Sequence, residues 1–344
     1  MDTGRNFHRP LSCLKCAPRQ GRTSLGLTRR NGLPFLQLIA RRLLQLIGVL
    51  AGISLVTFLL VHLAPGDPAR LLAGDRASAE TIAAIRSQYG LDLPLWRQFL
   101  TYLANLVTGD IGLSLRFQRP VIQLIEQFMW PTLFLTIYVV CLAVPPTIVL
   151  AILGARRPGG ATDQIIRLAG IAGLTIPVFW LGIMMSRFFG VSLGWFPVSG
   201  YGTGFTGHLH HLFLPALSTA IWLVPVLTQS LRAALIEKTG ADYVTAARAQ
   251  GASERQVFWQ TMLPNAVLPT LNLLGVMVAY MIGGAIIVET VYAVPGLGTL
   301  MVGALLGRDY YVVQGLTLVF AVSTVVITLV VDLLTAFIDP RVRL

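Results

Sequence analysis

Apolar residues gather in this chain into long runs broken by short polar stretches. Six runs are long enough to cross a hydrocarbon core of about 30 Å. They lie at approximately 43–64, 131–154, 166–190, 213–235, 265–288 and 312–337, and each is expected to form a membrane-spanning helix. The first has no formal charge from Leu43 to Ala64. It is too long for the apolar core of a signal peptide and lacks a small-residue cleavage site, so it reads as a retained anchor. Pro145-Pro146, Pro177, Pro225 and Gly283-Gly284 interrupt later runs. A helical bundle in lipid tolerates such breaks where neighbours satisfy the freed backbone groups.

The polar stretches have structure of their own. Residues 65–130 hold turn signals, PGDP at 65–68 and LDLP at 91–94, between short segments with Ile82, Ile85, Leu95, Phe99, Leu103 and Leu106 apolar. A small helical cap outside the membrane fits that pattern. A second stretch, TAARAQGASERQVFWQTMLP at 245–264, separates two apolar runs. Asp242 is a suitable N-cap for a helix whose face holds Tyr243, Ala246, Ala247 and Gln250. Gly251 can adopt the left-handed conformation that ends a helix. Ser253 and Gln256 make a capping box for a second helix with Val257, Phe258, Thr261 and Met262 in its stripe. Pro264 lacks an N–H and is expected to turn the chain into the fifth run. The prediction is helix, Gly hinge, helix, Pro exit. The two small alanines would let another protein approach closely, although an ordered loop between two spans uses the same residues.

Composition supports lipid as the solvent. The chain has 344 residues, of which 55% are hydrophobic and 12% charged, against about 25% charged in soluble domains. The formal net charge is +11, which in such a chain reports topology and anionic lipid rather than nucleic acid. Residues 1–42 carry Arg5, Arg9, Lys15, Arg19, Arg22, Arg29, Arg30, Arg41 and Arg42 against Asp2 alone. That end is expected in the cytoplasm. Six spans return the C-terminus there, in agreement with Arg341 and Arg343, and put Arg156, Arg157 and the 242–264 loop on the same side. The expected order is a basic, aperiodic tail (1–34), a first span region (35–64), the cap (65–130), a five-helix core (131–340) and a short cytoplasmic end (341–344).

Several chemistries lack support. Lys15 and Lys238 are the only lysines, and neither follows a Gly-rich loop, so the chain has no phosphate-cradling P-loop and must draw energy from a partner or an ion gradient. Cys13 and Cys16 form a CxxC with no second ligand pair nearby, too little for zinc. His208, His210 and His211 occupy an expected external loop without a nearby cysteine or carboxylate, and no metal site is assigned. The glycine-rich stretches 200–204 and 295–298 follow no strand and read as tight turns. Glu289, Asp332, Arg187 and Arg232 lie near span ends, where structural pairing competes with a proton relay. Thr175, Pro177, Trp180, Trp222, Gly283 and Gly284 are candidates for a solute path, because they are broken or small-residue positions. Plain helix packing explains each of them as well.

The 245–264 stretch resembles the EAA loop of ABC-importer permeases. Ala246, Ala247, Gly251, Leu263 and Pro264 hold their positions at that motif's spacing, while Thr245 stands where the pattern has an acid and Thr261 where it has an aliphatic residue. The stretches PGDPA (65–69), YGLDLPLWRQFLTYLANLVTGDIGLSL (89–115), DYVTAARAQGAS (242–253), ETVYAVPGLGTL (289–300), RDYYVVQG (308–315) and DPRVR (339–343) resemble the dipeptide/oligopeptide/nickel branch, in order, from about residue 35 onward.

The resemblance implies an all-α polytopic permease in a bacterial cell membrane. Its ATPase-coupling residues would be Asp242, Thr245, Ala246, Ala247, Gly251, Ser253, Leu263 and Pro264. It further implies a second homologous permease subunit, two cytoplasmic ATPase subunits that bind ATP and Mg, and an extracytoplasmic solute-binding protein. This chain would hold no cofactor and catalyse no reaction. The implied cargo is a peptide; a nickel complex or a haem-like solute is the alternative within the family. An autonomous ion-coupled carrier is the alternative outside it, and would require midplane carboxylates and an inverted repeat.

Overall fold

Helices are the only regular elements among the described residues, as long apolar runs in lipid require when every backbone group must be satisfied internally. The computed structural model describes residues 33–63, 69, 77–88 and 90–338. Most of the basic tail with Cys13 and Cys16, the PGDP turn and the DPRVR end lie outside them. The order is α1 (Leu33–Leu63), α2 (Ala79–Gln88), α3 (Leu95–Val107), α4 (Val121–Arg156), α5 (Ala161–Thr175), α6 (Val178–Met185), α7 (Gly204–Thr239), α8 (Asp242–Ala249), α9 (Glu254–Gln256), α10 (Leu263–Gly284), α11 (Ile286–Val291), α12 (Leu297–Leu306) and α13 (Tyr310–Ile338). Wide π-helical turns follow α6 (Ser186–Ser192) and join α9 to α10 (Val257–Met262). An isolated antiparallel bridge, Leu113 to Pro120, is the sole extended pairing among these residues.

Among the described residues, four helices are long and apolar enough to span a bilayer: Val121–Arg156, Gly204–Thr239, Glu254–Gly283 and Tyr310–Ile338. A fifth is reached by counting α5 and α6 together, but the two are bent by 91°. The expected span at 166–190 is therefore broken, at the Pro177 interruption. Ile176 is extended and Pro177 cannot donate the next helical bond. With the α5–α6 pair the count among the described residues reaches five, against the six expected; in α1 the apolar stretch Leu44–Leu59 covers part of the expected first span. Helix α4 starts at Val121, earlier than the expected 131, and keeps Pro131, Pro145 and Pro146 inside it. The three histidines sit on the first turns of α7 rather than in a loop.

Packing divides the bundle into three layers. Leu135, Val139, Leu212, Leu223 and Leu227 form the middle, where α4 and α7 meet. Val121, Leu124, Leu297, Leu300 and Leu316 close one end. Ala151, Leu231, Leu235 and Ala266, with Phe258 and Met262 against them, close the other. Outside these layers large apolar side chains stay exposed along the spans, among them Ile137, Val149, Val276, Val326 and Phe337. That is the arrangement expected of a surface whose solvent is hydrocarbon.

Candidate functional site: the hairpin and the buried carboxylates

The 242–264 stretch folds as a helical hairpin at the end closed by Ala151, Leu231 and Ala266. Two valines anchor it. Val244 on α8 and Val257 at the start of the π turn are both buried, while Asp242, Tyr243, Thr245, Ala246, Gly251 and Ser253 remain exposed. Gly251 takes φ +84°, the left-handed conformation, and a Cβ there would meet nothing within 4 Å. Its role is conformational rather than steric. Ser253 caps the second arm with the full capping box to Gln256. Across the turn, Arg248 donates to both Glu254 carboxylate oxygens, at 2.8 and 3.1 Å. The adjacent guanidinium holds the exposed Glu254 carboxyl below the usual carboxylate range.

Two details of the hairpin differ from expectation. Asp242 is the first helical residue, not the cap; Ala241 occupies the cap position with no side-chain bond. The acid still opposes the positive end of the helix from the first turn. Pro264 does not turn the chain out. The helix runs on from Glu254 to Gly283, because the π turn changes the hydrogen-bond register just before the proline. The Leu263 N–H reaches back to the Phe258 carbonyl. Pro264, with no N–H to offer, falls where that change makes the missing donor least costly. Asn265 adds a side-chain bond of 2.6 Å to the Thr261 carbonyl. Leu263 and Pro264 are half-buried, and Leu263 packs on the bundle end. They join the hairpin to the membrane helices rather than presenting an outer surface. Thr245 Oγ1 turns back to the Ala241 carbonyl at 3.4 Å. Val257 stands in the expected stripe of the second helix, but Val244 and the Arg248–Glu254 pair were not singled out from the sequence; opposite charges on either side of a glycine hinge were the available signal for the pair.

Behind the hairpin, Arg232 on α7 clamps Asp163 on α5 with both Nε and Nη2, the latter at 2.6 Å. The Gly159 N–H donates to the same carboxylate at 2.9 Å. Asp163 is fully buried, so the broken span is tied to the central helix by a two-pronged ion pair.

Glu289 occupies the opposite end, also fully buried. Its carboxylate accepts from Thr132 Oγ1 at 2.6 Å and from the Gly298 and Thr299 N–H groups at 2.8 and 3.1 Å. The partner is the N-terminus of α12, not a cation. Glycine at 296 and 298 makes room for it. A Cβ at Gly296 would collide with the carboxylate, and one at Gly298 would sit 2.6 Å from the Ile286 Cα. Nearby, Ser114 Oγ donates to the buried Asp309 at 2.5 Å. Three family-like stretches, 89–115, 289–300 and 308–315, thus meet at this end. Arg187 is exposed on the π turn after α6, and Asp332 lies on α13.

Of the solute-path candidates, Pro177 and Trp222 line one cavity of about 310 Å³ with Leu135, Thr136, Tyr280 and Val288. Thr175, Trp180 and Gly283 do not line it. The Thr175 hydroxyl is spent on the Ile171 carbonyl, Trp180 is exposed, and Gly283 faces Phe320. Gly284 ends α10. The imidazoles of His208, His210 and His211 each bond a different backbone carbonyl, those of Tyr201, Trp195 and Gly207. No metal-holding cluster of His, Cys, Asp or Glu occurs among the described residues.

The fold is a multi-pass helical bundle with an outward-facing helical hairpin at one end. The chain belongs to the family of binding-protein-dependent transport system inner membrane components, whose model matches residues 147–344, with the N-terminal model of the same system matching 35–125. The glutathione transport system permease protein GsiC of Escherichia coli (strain K12) is 38% identical over 308 residues, 90% of this chain and 99% of that protein. The GsiC protein of Shigella dysenteriae serotype 1 matches to the same extent. Among solved structures, a chain of the inward-facing MetNI methionine ABC transporter is similar at 19% identity and TM-score 0.48, over 63% of this chain and 97% of that one. The protein is therefore an inner-membrane ABC-importer permease, which works with ATPase and binding-protein partners.

Proposed function

We propose that this chain is one half of the translocation path for peptide-class solutes, paired with a second homologous permease in a heterodimer. An extracytoplasmic binding protein delivers the solute, and two cytoplasmic ATPase subunits bind ATP and Mg and press on the 242–264 hairpin. The hairpin geometry carries this reading. Two buried valines fix it to the bundle while its small and polar residues face outward, as a surface built to receive force from a partner requires. Six spans with both termini in the cytoplasm place Arg156, Arg157, Lys238 and Arg248 on the inner side, in accord with the charge rule. The relatives named for glutathione, a tripeptide, support the peptide class over a nickel or haem-like cargo. Alternating access then follows from differential contacts made at the hairpin in the two nucleotide states.

Co-purification tests it. The tagged chain should retain its ATPase subunits and sustain uptake of a radiolabelled peptide in proteoliposomes. Gly251→Pro should lose both, and full association with full transport in that variant would remove the docking role.

A further inference from the structure

Helix α3 carries more apolar surface than the protein covers. Phe99, Tyr102 and Leu106 share one face at i, i+3 and i+7, and that face packs on α1: the Phe99 and Tyr102 rings lie 5.2 and 6.0 Å from the ring of Phe58. Trp96, Leu100, Leu103 and Val107 form a second stripe at i, i+4, i+7 and i+11, next to the first. Trp96 is 60% exposed, Leu100 55% and Val107 88%. The polar residues Arg97, Thr101 and Asn105 hold the remaining side of the helix, at i, i+4 and i+8.

We propose that α3 lies in the plane of the membrane interface, at the end of the bundle opposite the coupling hairpin, with this second stripe in the outer phospholipid leaflet. Three observations select lipid as the occupant. First, the stripe continues an existing lipid-facing surface. Helix α3 packs beside the end of α1, where Val56, Leu59 and Leu63 are also exposed. Second, a half-apolar, half-polar helix of this kind partitions with its apolar face about 5–10 Å into the headgroup and acyl boundary. Third, Arg97 holds its guanidinium 5.1 Å from the centre of the Trp96 ring. An indole beneath a cation is suited to the headgroup level, where the ring is half in hydrocarbon and the charge meets phosphate. The cap is then a wedge seated on lipid beside the bundle. Its contact with Phe58 and His62 of α1, including the 2.9 Å bond between His62 Nε2 and Gln98, ties it to the first span.

Site-directed spin labelling decides the matter. The full chain, with Cys13, Cys16 and Cys141 changed to serine, is labelled singly at Leu100→Cys, Val107→Cys or Asn105→Cys and reconstituted with its partner subunits in phospholipid nanodiscs. The labelled side chains at 100 and 107 are exposed, so the substitutions leave the packed face untouched. Relaxation by oxygen is expected to be severalfold stronger at 100 and 107 than at 105, and relaxation by a water-soluble nickel chelate should show the reverse order. Equal chelate access at all three positions would mean the stripe is in water. Access by neither reagent at 100 and 107 would mean a protein surface covers it. Either result overturns the proposal.

Discussion

Thr132 and Glu289 meet through a 2.6 Å hydrogen bond in a fully buried site, with the hydroxyl of α4 donating to the carboxylate of α11. The Thr132 oxygen in turn accepts from the Leu297 N–H at 2.8 Å. One side-chain pair thereby fastens α4, α11 and the start of α12 together.

Glu289→Ala strips an acceptor from the Thr132 hydroxyl and from the Gly298 and Thr299 N–H groups. Each buried orphan costs about 1–3 kcal/mol, so the variant should melt several degrees lower in detergent. Glu289→Gln keeps one carbonyl acceptor and should recover most of the loss. An alanine variant as stable as the parent would show that the carboxylate does not hold α12.

The Asp163–Arg232 clamp permits a double-mutant cycle. Removing either partner leaves a charge without its counterpart, at about 3–5 kcal/mol for a buried pair. Removing Arg232 strands the fully buried Asp163 carboxylate and belongs at the high end, whereas removing Asp163 strands a partly accessible guanidinium and belongs toward the low end. Asp163→Asn with Arg232→Gln should cost clearly less than the sum of the single changes. Additive losses in thermal unfolding would deny the coupling.

At Gly251 the side chain has room but the backbone does not. Gly251→Ala should weaken the hairpin by about 1–2 kcal/mol, the cost of a left-handed alanine. Gly251→Asn, which tolerates that conformation better, should fall between the two. Permease-stimulated ATP hydrolysis measured on all three proteins should rank Gly, then Asn, then Ala.

The Arg248–Glu254 pair predicts an acid limit for the hairpin. The folded carboxyl titrates below its unfolded value of about 4.3, so the pair's contribution is complete above that value. It is lost as pH falls through the lower, folded value. Between pH 6 and 8 hairpin amide exchange should therefore not vary through this pair. Acidification below about pH 4 or raising salt should speed exchange at 250–256, because an exposed pair is screened. Glu254→Gln should abolish both responses.

Filling the cavity between Pro177 and Trp222 tests its part in the path. Val288→Trp should block peptide uptake while leaving ATPase association intact. Undiminished uptake would move the path elsewhere.

The helical class, four of the long apolar spans and the hairpin's hinge were legible because each rests on local chemistry: apolar run length, a glycine able to take positive φ, a Ser–Gln box at the right spacing. Directions were not. Apolar periodicity marks Ile171 and Ile183 alike as membrane residues and carries no trace of the 91° bend between their helices. Pro264 reads as a stop only under α-helical register, and the π turn removes that premise. Glu289 reads from the sequence as a group for structural pairing or a relay; the structure pairs it with the start of a helix only nine and ten residues on and with the Thr132 hydroxyl 157 residues back, a contact that local pattern does not carry. Val257 is an ordinary member of a short stripe and Val244 lies off the expected face of its helix; burial against the bundle distinguishes both.

The unbroken run from Glu254 to Gly283 has a geometric consequence. Thirty residues of continuous helix at 1.5 Å per residue make a rod of about 45 Å, with the exposed hairpin turn at one tip and the turn before Glu289 at the other. The second arm of the hairpin is therefore the first stretch of the span itself, and Ser253 and Gly283 stand at the two ends of one element.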